Sequence, residues 1–138
     1  IIFGGNYFVE HLTNSSCWLV WDKVNGETDF ADCELAWTNF KTAVRKYTWK
    51  YQGMLQQDMK NKEERIHPTQ KPLGLFKLIL QDYSKENDLI LDPFSGSGTT
   101  GVACEDLNRR WICVEREEKY CELSAKRIEQ FTSQGKLF

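Results

Sequence analysis

Apolar residues fall in short blocks along the chain, and the spacing inside each block decides the element it predicts. Residues 1–4 and 17–21 (CWLVW) are nearly continuous apolar runs, which predicts two short buried strands. DCELAWT (32–38) predicts a third, with the turn sequence VNGETD (24–29) ahead of it. HPTQKP (67–72) has two prolines, which exclude helix or central strand before Leu73. Beyond Pro72, Leu75, Leu78, Ile79 and the pair Asp82-Tyr83 follow helical spacing. DLILD (88–92) then predicts a strand, 93–98 a loop, 99–107 a helix, WICVE (111–115) a strand and 118–131 an amphipathic helix. No repeat or low-complexity segment interrupts this order.

The second half therefore reads strand, glycine loop, helix, strand, helix. That is the start of an open, parallel α/β sheet, with ligands beyond the carboxyl ends of its strands and crossover helices on both faces. Ahead of it, DMKNKEER (58–65) reads as a surface connection. From Leu35 to Gln57 there is no acidic residue, while Lys41, Arg45, Lys46 and Lys50 alternate with Tyr47, Trp49 and Tyr51. Cations interleaved with aromatics suit phosphate neutralisation and base stacking. A solvated basic strand suits the same pattern, and Trp37, Trp49 and Tyr51 suit a core.

Composition narrows the setting. A 41% hydrophobic and 28% charged chain of 138 residues is globular and one domain or less. No apolar run approaches the ~20 residues that span a bilayer. IIFGGNYF has no positive n-region and breaks at Gly4-Gly5, so it is no secretory leader. A strand-like opening without methionine points to a piece of a longer polypeptide. Five cysteines without a C-x-x-C pair favour small apolar thiols in a reducing cytoplasm over disulfides or zinc. Two histidines, His11 and His67, offer little for a metal site. The net charge of −2 leaves any nucleic-acid binding to a local patch.

The loop LDPFSGSGTTG contains a literal G-x-G-x-x-G in Gly96, Gly98 and Gly101, with Glu115 following near the distance of a dinucleotide fold. A helix N-terminus favours an anion there. Asp92, however, puts a carboxylate at the mouth of the same loop. It would repel a pyrophosphate, whereas a zwitterion presents an ammonium to it. S-adenosylmethionine has that charge pattern and a ribose whose hydroxyls suit Glu115, so electrostatics favour it over NAD. No Lys-Ser or Lys-Thr follows the glycines, which excludes a P-loop. A tight turn with no ligand is the remaining alternative.

HPTQKP, a helix, LILDPFSGSGTTGVAC and WICVERE followed by Tyr120 together resemble the DNA amino-methyltransferases that modify adenine N6 or cytosine N4. The order is that of the permuted group, in which the catalytic motif precedes the cofactor loop. IIFGGNYF, WLVWDK and DCELAWT are most similar to its phage-type adenine methylases. The resemblance implies an open, doubly wound Rossmann-like methyltransferase sheet, incomplete in this chain. It implies sheet strands over 1–34, a DNA-facing segment over 35–66 and a cofactor-binding half over 67–138.

By the same resemblance, Asp92, Phe94, Gly96 and Gly98 line the methionine end of S-adenosylmethionine, and Thr99 and Thr100 meet its carboxylate. Glu115 takes the ribose hydroxyls, Arg116 lies near the adenine, and His67, Thr69 and Lys71 fold over the cofactor. A proline-stiffened connector is the plainer account of HPTQKP, and a surface acid at a strand end that of Glu115. Lys23, Lys41, Arg45, Lys46 and Lys50 face double-stranded DNA, with an exposed turn lysine equally apt for Lys23. No metal is implied.

The family's catalytic motif, Asp/Asn-Pro-Pro-Tyr/Phe/Trp, is nowhere in these residues, so no catalytic residue is assigned. In the family it holds the flipped base amine for direct methyl transfer, and its strand lies between 89–92 and 1–4. Several tens of further residues before Ile1, or a complementing chain, are therefore expected, and a homodimer is compatible. The alternatives are a catalytically incomplete remnant that binds cofactor or DNA, a cytosine-N4 enzyme and, more remotely, an NAD-dependent oxidoreductase.

Overall fold

Alternating apolar residues build one four-stranded sheet from the first of two units, Ile1–Lys62 and Glu63–Phe138. The structure is a computed structural model and describes residues 1–26, 28–52 and 55–133. Glu27 of the expected turn, Gly53 and Met54 of the basic stretch, and 134–138 lie outside the described residues. The strands are β1 (Ile2–Phe3), β2 (Trp18–Asp22), β3 (Cys33–Trp37) and β4 (Arg45–Thr48), in the order β1-β3-β2-β4. β3 is antiparallel to β1 and β2, and β2 is parallel to β4. Leu19 and Trp21 of β2 face Ala36 of β3 and Tyr47 of β4, and all four are buried. A hairpin of β5 (Tyr51–Gln52) and β6 (Leu55–Gln56) follows.

The opening strand is not buried as expected. β1 is an edge strand, with Ile1 and Ile2 exposed. Gly4, at φ 71°, turns the chain out of the sheet into two short 3₁₀ turns after only two paired residues. A Cβ at Gly5 would lie 2.7 Å from Trp37 Cβ, so only glycine passes that point.

The second unit follows the predicted order: α1 (Leu73–Tyr83), β7 (Leu89–Asp92), α2 (Thr99–Asp106), β8 (Arg110–Cys113) and α3 (Glu118–Ser133). β7 and β8 are parallel, with Ile90 beside Trp111 and Asp92 beside Cys113. Leu80 of α1 and Ala103 and Cys104 of α2 form the core, packed by Phe76, Ile90, Leu107 and Trp111. Side chains alternate along strands, so Leu89, Leu91 and Ile112 point the other way. These three and Val114 are exposed, and Leu91 reaches 62%. Among the described residues, helices thus cover one face of this strand pair.

All five cysteines are free thiols. Burial, then neighbouring Cys113, pushes Cys104 up to about 12; burial, then Asp92, pushes Cys113 up to about 11. Both stay protonated and unreactive near neutrality. Among the described residues no group of three or more His, Cys, Asp or Glu could hold a metal ion, and no helix is long and apolar enough to cross a membrane.

Candidate functional site

β7 ends at Asp92, and the loop that follows is held from several sides before α2 begins at Thr99. Asp92 Oδ1 accepts the N–H of Phe94 at 3.1 Å, and Oδ2 accepts the Thr100 hydroxyl. Ser95 N–H donates to the Val114 carbonyl at 2.9 Å, and Gly96 N–H donates to Glu115 Oε2 at 2.8 Å. Gly98 N–H donates to the Ser95 carbonyl at 2.8 Å. Loop and β8 end are thus tied, and Asp92 and Glu115 flank the same turn. Asp92 keeps lone pairs for further donors, and Glu115, which accepts the N–H groups of Glu117, Gly96 and Arg116, keeps one. Phe94, 88% exposed, is the outermost side chain of the turn.

The glycines divide into different physical roles. Gly96 has φ 50°, and a Cβ there would meet the His67 ring at 3.5 Å, an ordinary contact, so backbone conformation alone demands glycine. Gly98 combines φ 71° with a Cβ position 2.8 Å from Ser124 Cβ of α3. Gly101 is helical, and its Cβ would lie 2.6 Å from Ile128 Cδ1. The third glycine of the motif therefore serves helix packing. Gly98, the N-cap residue of α2, makes no side-chain cap.

HPTQKP packs on this loop. The His67 ring lies over Gly96 and meets Tyr120 of α3 edge-on, with centroids 4.3 Å apart. His67 Nδ1 accepts the Thr69 N–H at 3.2 Å, which leaves the proton of a neutral ring on Nε2. The Thr99 hydroxyl donates to the Lys71 carbonyl at 3.3 Å, while Lys71 Nζ donates to the Thr69 carbonyl. Buried Gln70 bridges the Ile66 N–H and the Glu64 carbonyl, shaping the approach to the motif. The second unit accordingly starts at Glu63, ahead of His67. Arg116 is exposed, its guanidinium on Glu117 at 3.0–3.1 Å.

Glu115 is held below its ordinary value of 4.5, first by the Glu117 N–H and, against an opposing burial penalty, by the N–H groups of Gly96 and Arg116 and by nearby His67. The folded state favours its charged form, so its tether is fully present above the ordinary value and is lost as pH falls through the depressed folded value. The Gly96 amide resonance is expected to titrate in that acidic window, below 4.5, and to show no such step in Glu115→Gln.

The basic candidates lie in the first unit. Lys41, Arg45 and Lys46 are exposed, and Lys50 is half-buried. Arg45 and Lys46 are adjacent on β4 and so point to opposite faces, and Lys46 pairs with Asp22 at 3.1 Å. Lys23 is paired with Glu34 at 2.8 Å and lies 5.2 Å from the Trp21 ring centroid. Trp21, Trp37 and Trp111 donate their indole N–H groups to the Trp49 carbonyl, the Thr13 carbonyl and Glu105.

The sequence reading missed Arg127 and Glu63, and it named Tyr120 in the motif without placing it in the site. Arg127 had a signal: it shares the buried stripe of α3 with Ser124 and Ile128, an unusual place for an arginine.

The second unit thus carries a parallel strand–glycine loop–helix–strand arrangement, with Asp92 at the end of β7 and Glu115 two residues beyond β8. Residues 17–126 match the family model N6_N4_Mtase, described as DNA methylase, and the chain belongs to that family. It is 35% identical to the Type II methyltransferase M2.MboI of Moraxella bovis over 92% of this chain and 46% of that protein. With the Type II methyltransferase M.HinfI of Haemophilus influenzae the identity is 31%, over 86% of this chain and 42% of that protein. The chain thus spans less than half the length of these curated relatives. The solved M1.HpyAVI–SAM complex is 26% identical and superposes with a TM-score of 0.61, covering 90% of this chain and 67% of that one. The open, Rossmann-like methyltransferase architecture, partial here, follows from that likeness.

Proposed function

We propose that this chain is the cofactor-binding and recognition portion of a DNA methyltransferase that moves a methyl group from S-adenosylmethionine to an exocyclic base amine, adenine N6 in preference to cytosine N4. The observation that carries this reading is the pair of carboxylates, Asp92 and Glu115, flanking a glycine loop under His67. The free lone pairs of Asp92 suit the ammonium of an amino acid, the first turn of α2 suits its carboxylate, and that of Glu115 suits a ribose hydroxyl. Bound there, the cofactor supplies an electrophilic methyl group. The residues of the loop hold and orient it, with Phe94, Thr99, Thr100 and Gly98 on the methionine side and Arg116 on the adenine side. Thr69 and Lys71 support the cover formed by His67.

Double-stranded DNA is the proposed partner, met by Lys41, Arg45, Lys46 and Lys50, with Lys23 available only where its Glu34 pair opens. Transfer needs a group that grips the extruded base, which we assign to an Asp/Asn-Pro-Pro-aromatic motif in an upstream or complementing segment. A cytoplasmic location and a restriction-modification context belong to the same proposal. A second reading is a binder of cofactor or DNA that transfers nothing. The motif encoded ahead of Ile1 would decide for the enzyme.

The direct test is titration calorimetry with S-adenosylhomocysteine and NAD. Binding of S-adenosylhomocysteine without NAD is expected; NAD binding alone would overturn the reading.

A further inference from the structure

Beneath the glycine loop, one ion pair joins three segments. Arg127 and Glu63 lie 3.3 Å apart, their side chains only 18% and 20% exposed. Arg127 Nη1 donates to the Ser97 carbonyl at 3.1 Å, the Ser97 hydroxyl at 3.3 Å and the Thr99 hydroxyl at 3.0 Å, and Nη2 donates to Glu63 Oε2. Glu63 Oε1 accepts the N–H of Leu73 at 2.8 Å. Leu73 opens α1, whose N-cap residue, Pro72, supplies no side-chain cap, so Glu63 caps that helix from ten residues away.

The place where the arginine grips matters. Ser97 sits between Gly96 and Gly98, both in the left-handed region. Glycines have the most backbone freedom to lose, so an unsupported G-S-G loop spreads over many conformations. A guanidinium holding the intervening carbonyl restrains both glycines at once, and its planar fork fixes direction as well as distance. An apolar pair of similar volume is often as stabilising as a buried ion pair. Packing alone is therefore a poor account of these two residues.

We propose that Arg127, backed by Glu63, is a positioning device for the methyl-donor loop, setting the Ser97 peptide and the Thr99 hydroxyl in their binding geometry before the cofactor arrives. The inference rests on the cofactor reading above. Pre-organisation of this kind appears in affinity, because a loop ordered beforehand has less freedom to lose on binding.

The test is calorimetry of the protein with S-adenosylhomocysteine alongside thermal melting. Arg127→Met is expected to weaken binding about tenfold or more, in keeping with loss of charge-assisted bonds. Arg127→Lys and Glu63→Gln, which keep part of the network, are expected to weaken it roughly three- to tenfold. Leu80→Val, in the core away from the loop, is the control: it lowers the melting temperature and leaves affinity within about twofold. Should Arg127→Met not fold, the two milder variants decide, and unchanged affinity in both overturns the inference. It is equally overturned if Arg127→Met binds within twofold of wild type, or if Leu80→Val at equal loss of melting temperature weakens binding as much. In those cases the cofactor reading stands. Failure of the unaltered protein to bind S-adenosylhomocysteine sinks both together.

Discussion

Asp92→Asn is expected to weaken S-adenosylhomocysteine binding by roughly one to two orders of magnitude, the range for losing a charged hydrogen-bond partner. The change is nearly isosteric. Asparagine can still accept the Phe94 N–H and meet the Thr100 hydroxyl, so the turn keeps its local bonds and the melting temperature shifts little. What disappears is the negative charge that faces an ammonium. The sign of the effect separates the two cofactor classes. If the loop held a pyrophosphate, removing the carboxylate would relieve repulsion and strengthen NAD binding. Calorimetry with both ligands on both proteins reads the difference, and a tighter NAD complex in the variant would refute the methyl-donor assignment.

The largest stability effect is expected at Gly98. Gly98→Ala is predicted to cost about 3 kcal/mol of unfolding free energy, from a left-handed backbone of about 1–2 kcal/mol and overpacking against Ser124 of about 1–3 kcal/mol. Neither can be relieved locally: the strain lies in the backbone, and the obstacle is a Cβ fixed to α3. Gly101→Ala makes the instructive contrast. Its Cβ would come even closer to a neighbour, 2.6 Å, but that neighbour is the tip of Ile128, which can turn aside. Alanine also gains about 1 kcal/mol of helix propensity over glycine there, so the net cost is expected to be under about 1 kcal/mol. Urea unfolding of both variants compares them. Equal losses would show that the left-handed conformation and the Ser124 contact are not what requires Gly98.

These contrasts show how far a motif could be read. G-x-G-x-x-G was legible as a strand-to-helix turn, and the turn is there, from Asp92 to Thr99. Gly101 completes the motif in the sequence, and the resemblance gave it no place at the cofactor. Gly101 faces α3, and nothing in the local string distinguishes a glycine that admits a ligand from one that admits a helix. The opening strand illustrates the same limit. Its apolar run is real, but burial depends on a neighbouring strand, and β1 has β3 on one side only. The basic stretch 35–57 was legible as unopposed charge along the sequence. In space Lys46 meets Asp22, a residue 24 positions away, and Arg45 points to the other face.

By itself the sequence determined the element order of 67–131, the place of the glycine loop between β7 and α2, and the acids Asp92 and Glu115 that follow the two strands. Those features depend on spacing, proline and glycine, which act within a few residues. Tertiary structure alone decided which glycines are obligatory and why, and that His67 covers Gly96. It also decided that Arg127 reaches back 30 residues to Ser97 and 64 to Glu63. Such contacts form only when helices pack, since burial and a partner's position are properties of the folded chain and leave no fixed spacing in the sequence.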